Sequence, residues 1–167
     1  MALATADAKG RPSVRMVLLK DFGEHGFVFY TNRESNKGRD LENNKRASLC
    51  LYWMPLDKQV RISGKVEMVS DKEADEYFAT RPRLAQIGAW ASKQSSAMKS
   101  RFDLEKKVAF YAAKFGVRLV PRPPYWVGYR IEPEEIEFWT EKPFRLHERI
   151  LYTRNRQGRW EIERLYP

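Results

Sequence analysis

Alternating apolar and polar positions near the start of the chain predict a β-meander. The alternating segments are LATAD, SVRMVLLKDF and FVFYT, followed by RASLCLYWM and KQVRISGKVEMV. Short glycine-bearing segments, AKGRP and GEHG, separate the first three and suit hairpin turns. Gly64, inside the fifth segment, predicts a β-bulge or a close approach of another backbone. Between the third and fourth segments, Ser35 is expected to cap a short helix that ends near Asn43 or Asn44.

The middle of the chain predicts helices. Ser70 and Glu73 have capping-box spacing, so a helix should begin there and stop before Pro82. A shorter helix is expected over LAQIGAWAS. The segment SRFDLEKKVAFYAAKFG has apolar residues at helical spacing and ends on Gly116.

The end of the chain returns to strand patterns. VGYRIEP, EEIEFW, FRLHERILYTR and RWEIERLYP each predict a strand, and NRQG predicts a hairpin turn. The count is six to eight strands and about three helices. We therefore predict one mostly β domain over residues 1–167, an antiparallel barrel with helices packed outside it. A doubly wound parallel sheet is excluded because strands and helices do not alternate.

Composition narrows the function classes. The 167 residues carry 31 Lys and Arg against 22 Asp and Glu, a net charge of +9. These cations are scattered, so a basic nucleic-acid-binding tail is not expected, although a folded basic patch stays open. No apolar run approaches the length of a membrane span, and the start lacks a signal-peptide pattern. The single cysteine, Cys50, excludes an intrachain disulfide and favours the cytoplasm.

Candidate chemistry rests on cations, because the sequence has no spaced metal ligands and no nucleophile motif. In a strand FRLHERIL, Arg145, His147 and Arg149 would share one face, which indicates either a solvated surface or an anionic ligand. Lys37, after the helix start in YTNRESNK, is typical of a phosphate-binding nest. For Lys37 or Arg61 taken alone, a solvated charge is the more common role.

A second pair of cations brackets the apolar segment RMVLLK. In a continuous strand, Arg15 and Lys20 would lie about 16 Å apart on opposite faces, and so reach different parts of an extended ligand. Trp139, just before FRLHER, can stack on a planar ligand or fill the core.

Taken together, the segments resemble the pyridoxine/pyridoxamine 5'-phosphate oxidase family of FMN-dependent enzymes. The matching segments, in the order of the family and across nearly the whole chain, are RMVLLK, FYTN.ES.KG, KQVRISG, YFATRPR, QIGAWASKQSS, EFW, RLHER and W.IERLYP. The pair QIGAW.S.QS and EFW…RLHER is the most specific. Family members usually carry a longer N-terminal segment, which we expect to be missing here.

The resemblance implies a split β-barrel homodimer with FMN at the subunit interface. It assigns to FMN the residues Arg15, Met16, Val17, Leu18, Leu19, Lys20, Tyr30, Thr31, Lys37, Gln59, Gln94, Ser95, Trp139 and Arg149. It assigns to the substrate phosphate Lys20, Tyr77 and Arg81, and to the pyridine ring Arg145, Leu146 and His147, with Arg145 and His147 as the catalytic residues.

The implied reaction is oxidation of pyridoxine or pyridoxamine 5'-phosphate to pyridoxal 5'-phosphate, with O2 as acceptor. It releases H2O2, and NH3 from the amine. Arg and Lys suit the two phosphate groups of cofactor and substrate. His147 would either assist proton removal or orient the substrate.

Three positions depart from the family pattern. Asn36 stands where an Arg is usual, Ala85 where a Ser is usual, and Val127 where a Gly is usual. They leave open a sibling flavin oxidase with another substrate, such as those of phenazine assembly. The net charge alone leaves open a non-catalytic basic module that binds nucleic acid or stores flavin. Five of the six substrate residues, Lys20, Tyr77, Arg81, Arg145 and His147, favour the vitamin B6 substrate.

Overall fold

The computed structural model describes residues 1–167, with nine β-strands and four α-helices. The elements are β1 Ala2–Ala6, β2 Pro12–Met16, β3 Asp21–Gly23, β4 Gly26–Asn32, α1 Asn36–Asn43, β5 Arg46–Trp53, β6 Lys58–Met68, α2 Asp71–Thr80, α3 Arg83–Ala91, α4 Asp103–Phe115, β7 Trp126–Thr140, β8 Glu148–Arg154 and β9 Trp160–Leu165. Two short 3-10 turns lie at Met54–Leu56 and Pro143–Arg145. None of the helices combines the length and apolar character that a membrane-spanning helix requires.

All nine strands belong to one sheet, in the order β2-β1-β5-β6-β7-β4-β3, with β8 paired to β7 and β9 paired to β8. The pairs β1–β2, β1–β5, β5–β6, β7–β8 and β8–β9 are antiparallel, and every one of these pairs except β1–β5 joins strands that are consecutive in the chain. This order is open rather than closed into a ring. The prediction of a mostly β, antiparallel fold is confirmed.

Contacts within the chain divide it into two compact units, each with its own buried apolar side chains. The sheet unit comprises Met1–Phe29, Asp40–Glu67 and Arg130–Pro167; the helical unit comprises Tyr30–Arg39 and Met68–Tyr129. In the sheet unit, the buried residues include Leu3, Leu49, Ile62 and Ile131. In the helical unit, the core is Phe78, Ile87, Val120 and Trp126, with Tyr30, Tyr77, Trp90 and Tyr111 packed against it.

Several local predictions are confirmed. The Ser70 side chain accepts a hydrogen bond from the Glu73 backbone N–H at 3.1 Å and so caps α2. The Gly38 N–H likewise reaches the Ser35 hydroxyl at the start of α1. Helix α4 ends before Gly116, whose positive φ of 49° favours glycine.

Gly64 marks the predicted close approach of two backbones. A Cβ at Gly64 would lie 1.9 Å from the Glu132 carbonyl oxygen and 3.0 Å from the Pro133 Cα. This glycine makes room for a strand that contains a proline. The sequence prediction of two strands, VGYRIEP and EEIEFW, was wrong for this reason, because β7 runs unbroken from Trp126 to Thr140.

Two other strand predictions were wrong. SVRMVLLKDF is not one strand, because β2 ends at Met16 and β3 begins only at Asp21. FRLHERILYTR is not one strand either, because Phe144 and Arg145 have positive φ angles of 59° and 60° and lie in a turn. The pairing of Thr140 with Glu148 means that the residues between them must form the connection from β7 to β8.

Candidate active site

A buried ammonium group lies among polar side chains in the helical unit. Lys37 is 9% exposed, and its Nζ donates to Thr31 Oγ1 and Gln94 Oε1, both at 3.0 Å, and to Ser35 Oγ at 3.2 Å. The alternative of a solvated charge is therefore wrong for Lys37. Three residues that the resemblance assigned to FMN, Thr31, Lys37 and Gln94, come together, although Gln94 lies 57 positions from Lys37 in the chain.

The backbone around Lys37 adds hydrogen-bond donors. The Asn36 N–H, at the first position of α1, donates to Ser95 Oγ at 3.3 Å. Gly38 permits the tight turn, since a Cβ there would lie 2.0 Å from the Arg33 carbonyl oxygen. A helix start, an ammonium group, an amide and hydroxyls together form a donor set that fits a phosphate monoester such as that of FMN.

A row of stacked aromatic rings lies in the same unit. The rings of Tyr30 and Tyr77 stack at 4.2 Å, and those of Tyr30 and Trp126 at 5.0 Å. The Arg81 guanidinium lies 5.0 Å from the Trp126 ring centre and 5.5 Å from that of Phe78. Arg81 therefore stands at the end of an aromatic platform, where cation–π attraction stabilises it.

One nitrogen of Arg81 lacks a partner. Its Nη1 is buried and makes no hydrogen bond. Burial lowers the pKa of Arg81 below its ordinary value, against a smaller opposing influence from Tyr77. Because an unsatisfied buried N–H is costly, this nitrogen indicates a site prepared for an anionic acceptor.

Gln86, which sequence reasoning passed over, fixes the helix end that precedes Arg81. Its side chain is buried, and Nε2 donates to the carbonyl oxygens of Phe78 at 3.0 Å and Ala79 at 3.3 Å. The signal was present in the segment QIGAW, where a glutamine is followed directly by apolar residues on a short helix.

In the sheet unit, Glu137 binds two arginines. Arg149 donates through Nε to Oε1 at 2.8 Å and through Nη2 to Oε2 at 3.1 Å, while Arg61 Nη2 also contacts Oε2. Glu137 is 5% exposed. The hydrogen bonds from Arg149 first, and then those from Arg61, lower the pKa of Glu137 despite the opposing effect of burial. The sequence analysis assigned no role to Glu137; an acid between apolar residues in EIEFW was the available signal.

The rings of Trp139 and His147 lie beside each other in this unit, with centres 4.8 Å apart. The Lys142 N–H donates to His147 Nδ1 at 3.3 Å. Arg145 and Leu146 are exposed in the turn. Arg145, His147 and Arg149 therefore do not line one face of a strand as predicted, because only Arg149 belongs to β8.

Gln59 lies on β6, is partly buried and is paired in register with Tyr52 of β5. Arg15 on β2 donates through Nη1 to Thr5 Oγ1 at 2.7 Å, and its Nη2 lies 3.7 Å from Asp40 Oδ2. Burial lowers the pKa of Arg15, and the nearby Asp40 opposes this shift.

The residues after Arg15 alternate in exposure: Met16 and Leu18 are exposed, whereas Val17 and Leu19 are half-buried. Lys20 lies outside β2, and its backbone N–H donates to the Val28 carbonyl oxygen at 2.9 Å. The prediction that Arg15 and Lys20 occupy opposite faces of one strand was therefore wrong.

Comparison with known families gives two matches. Residues 1–140 match the family model described as pyridoxamine 5'-phosphate oxidase. Residues 126–167 match the model described as the pyridoxine 5'-phosphate oxidase C-terminal dimerisation region. Together these matches cover the whole chain.

Individual relatives agree with this result. A pyridoxine/pyridoxamine 5'-phosphate oxidase of Brucella canis is 58% identical over 100% of this chain and 83% of its own length. The structure of PhzG from Burkholderia lata 383, in complex with tetrahydrophenazine-1-carboxylic acid, has a TM-score of 0.93 and 38% identity over 99% of this chain and 81% of that chain. An FMN binding protein of Nostoc punctiforme PCC 73102, related to pyridoxamine 5'-phosphate oxidase, shares the fold, with a TM-score of 0.79 and 20% identity over 99% of this chain and 87% of that chain. The predicted split-barrel fold class is confirmed by these similarities.

Proposed function

Because the chain belongs to the pyridoxamine 5'-phosphate oxidase family, we propose that it oxidises pyridoxine or pyridoxamine 5'-phosphate to pyridoxal 5'-phosphate. FMN is the cofactor and O2 the acceptor; H2O2 is released, together with NH3 when the substrate is the amine. The observation that carries the proposal is the buried, unpartnered Nη1 of Arg81 beside an aromatic platform. A phosphate oxygen would satisfy this nitrogen, and the neighbouring rings suit a planar substrate.

The FMN phosphate is assigned to the polar cluster around Lys37. Lys37, Thr31, Gln94 and Ser95, with the start of α1, would bind this phosphate, since they combine a buried cation with neutral donors. The remaining contacts assigned to FMN are Arg15, Met16, Val17, Leu18, Leu19, Lys20, Tyr30, Gln59, Trp139 and Arg149. When bound, FMN supplies the redox chemistry by accepting two electrons from the substrate and passing them to O2.

The substrate phosphate is assigned to Lys20, Tyr77 and Arg81, which supply two cations and a phenol. The hydrogen bond between Arg81 N–H and the Phe78 carbonyl oxygen, at 3.2 Å, fixes the backbone that carries the guanidinium. The guanidinium itself lies against the Trp126 and Phe78 rings, and a side chain held in this way loses little further entropy when it binds the phosphate.

Arg145, Leu146 and His147 are assigned to the pyridine ring. Because His147 Nδ1 accepts the Lys142 N–H, a neutral imidazole carries its proton on Nε2. Nε2–H is a donor, so we infer that His147 orients the substrate rather than removing a proton from it. Arg145 is exposed and lies in the turn, so its side chain is not held in the alternating orientation that a strand would impose.

The proposal includes a homodimer with FMN at the subunit interface, in one domain over residues 1–167, acting in the cytoplasm. The match to a dimerisation region over residues 126–167 supports the dimer. Apolar side chains exposed in the single chain also support it: Val14 is 70% exposed and Met16 is 73% exposed. A second copy would remove such side chains from water.

A second candidate is a flavin oxidase with another substrate. The 38% identity to PhzG from Burkholderia lata supports this second candidate, because two chains that share a fold at this level of sequence identity need not share a substrate. The 58% identity to a pyridoxine/pyridoxamine 5'-phosphate oxidase of Brucella canis favours the vitamin B6 substrate.

The test is an anaerobic spectrum of the FMN-reconstituted protein before and after addition of pyridoxine 5'-phosphate. The proposal expects the visible flavin band to bleach and to return on exposure to air. Pyridoxine without its phosphate is the control and should bleach the band far more slowly. A bound flavin whose visible band is bleached by neither compound would favour the second candidate. Absence of flavin binding would contradict both candidate functions.

A further inference from the structure

Glu137 is a buried carboxylate in the sheet unit, and its two oxygens are occupied by guanidinium groups. Only 5% of the residue is exposed, and it accepts hydrogen bonds from Arg149 and Arg61. Removing a carboxylate from water is unfavourable unless it is paired. Replacing such an ion pair with apolar residues often leaves the stability of a protein unchanged. A contribution to fold stability alone therefore does not explain why a carboxylate is buried at position 137.

The geometry of Arg149 indicates a different role for this carboxylate. Arg149 binds Glu137 through Nε and Nη2, and its Nη1 donates to the Tyr166 carbonyl oxygen at 3.0 Å. These bonds use three of the five N–H groups of the guanidinium. One N–H on Nη1 and one on Nη2 therefore stay available to an acceptor, in a plane that Glu137 fixes.

The surroundings of Glu137 contain residues that the proposed function assigns to FMN. Trp139 lies two residues further on the same face of β7 and is paired in register with Arg149 of β8. Arg61 and Glu137, together with Glu135, also line an open groove in the sheet unit, so these side chains border space that a ligand can enter.

We propose that Glu137 is a positioning residue for FMN, which holds the Arg149 guanidinium in the orientation that contacts the cofactor. Arg61 is the second counter-charge that keeps Glu137 ionised when Arg149 engages the ligand. This inference rests on the proposed function, because that function assigns Arg149 to FMN. It requires no direct contact between Glu137 and the cofactor.

The test is a double-variant cycle in FMN affinity, read from the quenching of FMN fluorescence. We expect Glu137→Gln and Arg149→Met each to weaken FMN binding about tenfold, the usual effect of losing one charged hydrogen bond. The double variant should bind no more weakly than Arg149→Met alone, because Glu137 acts only through Arg149. A further loss of FMN affinity in the double variant, beyond that of Arg149→Met, would overturn the proposal.

Glu134→Gln is the matched control. Glu134 lies on the same strand and binds Arg46 at 2.7 Å, but it lies five residues before Trp139 along β7. It should leave FMN affinity unchanged; a loss equal to that of Glu137→Gln would show a general effect of charge and overturn the proposal. Far-UV circular dichroism checks the fold of each apoprotein. If Glu137→Gln does not fold, the FMN affinity of the double variant is compared with that of Arg149→Met. This comparison still tests whether Glu137 acts only through Arg149.

Failure of the inference is distinguishable from failure of the proposed function. Wild-type protein that binds FMN, together with unchanged affinity in Glu137→Gln, overturns only the role of Glu137. Wild-type protein that does not bind FMN overturns both.

Discussion

Single cations in this chain differ in role because their surroundings differ. Lys37 is buried among hydroxyl and amide oxygens, Arg81 lies against aromatic rings with one nitrogen unpartnered, and Arg149 is held by a carboxylate. Each arrangement fixes the side chain before a ligand arrives. Such preorganisation reduces the entropy lost on binding, which is an advantage for the proposed site, since that site would bind two phosphorylated molecules.

Arg145→Ala tests the residue assigned to the substrate ring. Because Arg145 is exposed and is assigned no contact with FMN, we expect flavin to stay bound while turnover falls about 100-fold through loss of substrate orientation. Flavin content is read from the visible spectrum and turnover from oxygen consumption. Loss of flavin with retained turnover per bound flavin would contradict this assignment.

Ala85→Ser tests one departure from the family pattern. Ala85 is half-buried near the start of α3, four residues after Arg81. A hydroxyl there should add one neutral hydrogen bond to the substrate phosphate and tighten binding about two- to tenfold. The measurement is the Kd of pyridoxal 5'-phosphate, with inorganic phosphate as competitor. Unchanged or weaker binding would show that residue 85 does not face the phosphate.

Protonation of Glu137 should weaken the fold at low pH. Arg149, and then Arg61, lower the pKa of Glu137 below its ordinary value of 4.5. A carboxylate with a lowered pKa stabilises the folded state above its unfolded pKa, and this stabilisation is lost as the pH falls through the folded pKa.

The measurement compares wild type with Glu137→Gln in urea. The difference in their free energies of unfolding should be constant above about pH 5 and shrink as the pH falls below it. A difference that does not change with pH would mean that the carboxylate charge does not stabilise the fold.

At the scale of elements, the long strand β7 depends on its neighbour β6. Pro133 removes one backbone donor from β7, and the absence of a Cβ at Gly64 lets the Glu132–Pro133 backbone approach β6 closely. The strand therefore continues through the proline instead of ending there. The predicted break in this region followed local rules that the pairing of two distant strands overrides.

Gly64→Ala should destabilise the protein, by about 1–3 kcal/mol or more, because the new Cβ would overlap backbone atoms that cannot rotate away. Gly88→Ala is the matched control, since nothing lies within 4 Å of a Cβ there and alanine favours the interior of helix α3. Free energies of unfolding in urea give the comparison. Equal stabilities for the two variants would contradict the close approach.

At the scale of the whole molecule, the net positive charge is compared with what the proposed site needs. The net charge of +9 is dispersed along the sequence, and several cations are already bound to acids, such as Arg46 to Glu134 and Arg122 to Asp71 and Asp75. We therefore attribute little of the charge to nucleic-acid binding. Small phosphorylated ligands need only a few of these cations.

The dimer is tested by sedimentation velocity. The chain has a mass of 19.7 kDa, and the FMN-loaded protein should sediment as a species of twice that mass. Its melting temperature should rise with protein concentration, as for any assembly whose folding and association are coupled. A monomer at micromolar concentration with FMN bound would contradict an interface site.

The sequence by itself determined the family and most of the local structure. Helix caps, glycine turns and strand alternation depend on residues a few positions apart, so the capped start of α2 at Ser70, the end of α4 at Gly116 and the antiparallel strands could be predicted. The count of helices was too low by one, and the strand count fell short of nine. The resemblance selected site residues such as Lys37 and Arg149, but not the partners that hold them.

Only the tertiary structure decided those partners. Lys37 meets Gln94 across 57 positions of sequence, and Arg61 meets Glu137 across 76. The sequence marks Glu137 and Gln86 only as polar residues among apolar ones and does not show their roles, because a side chain acquires such a role only when folding removes it from water beside a distant group. The turn that takes Arg145 out of a strand likewise follows from the pairing of β7 with β8, a long-range interaction that no local pattern records.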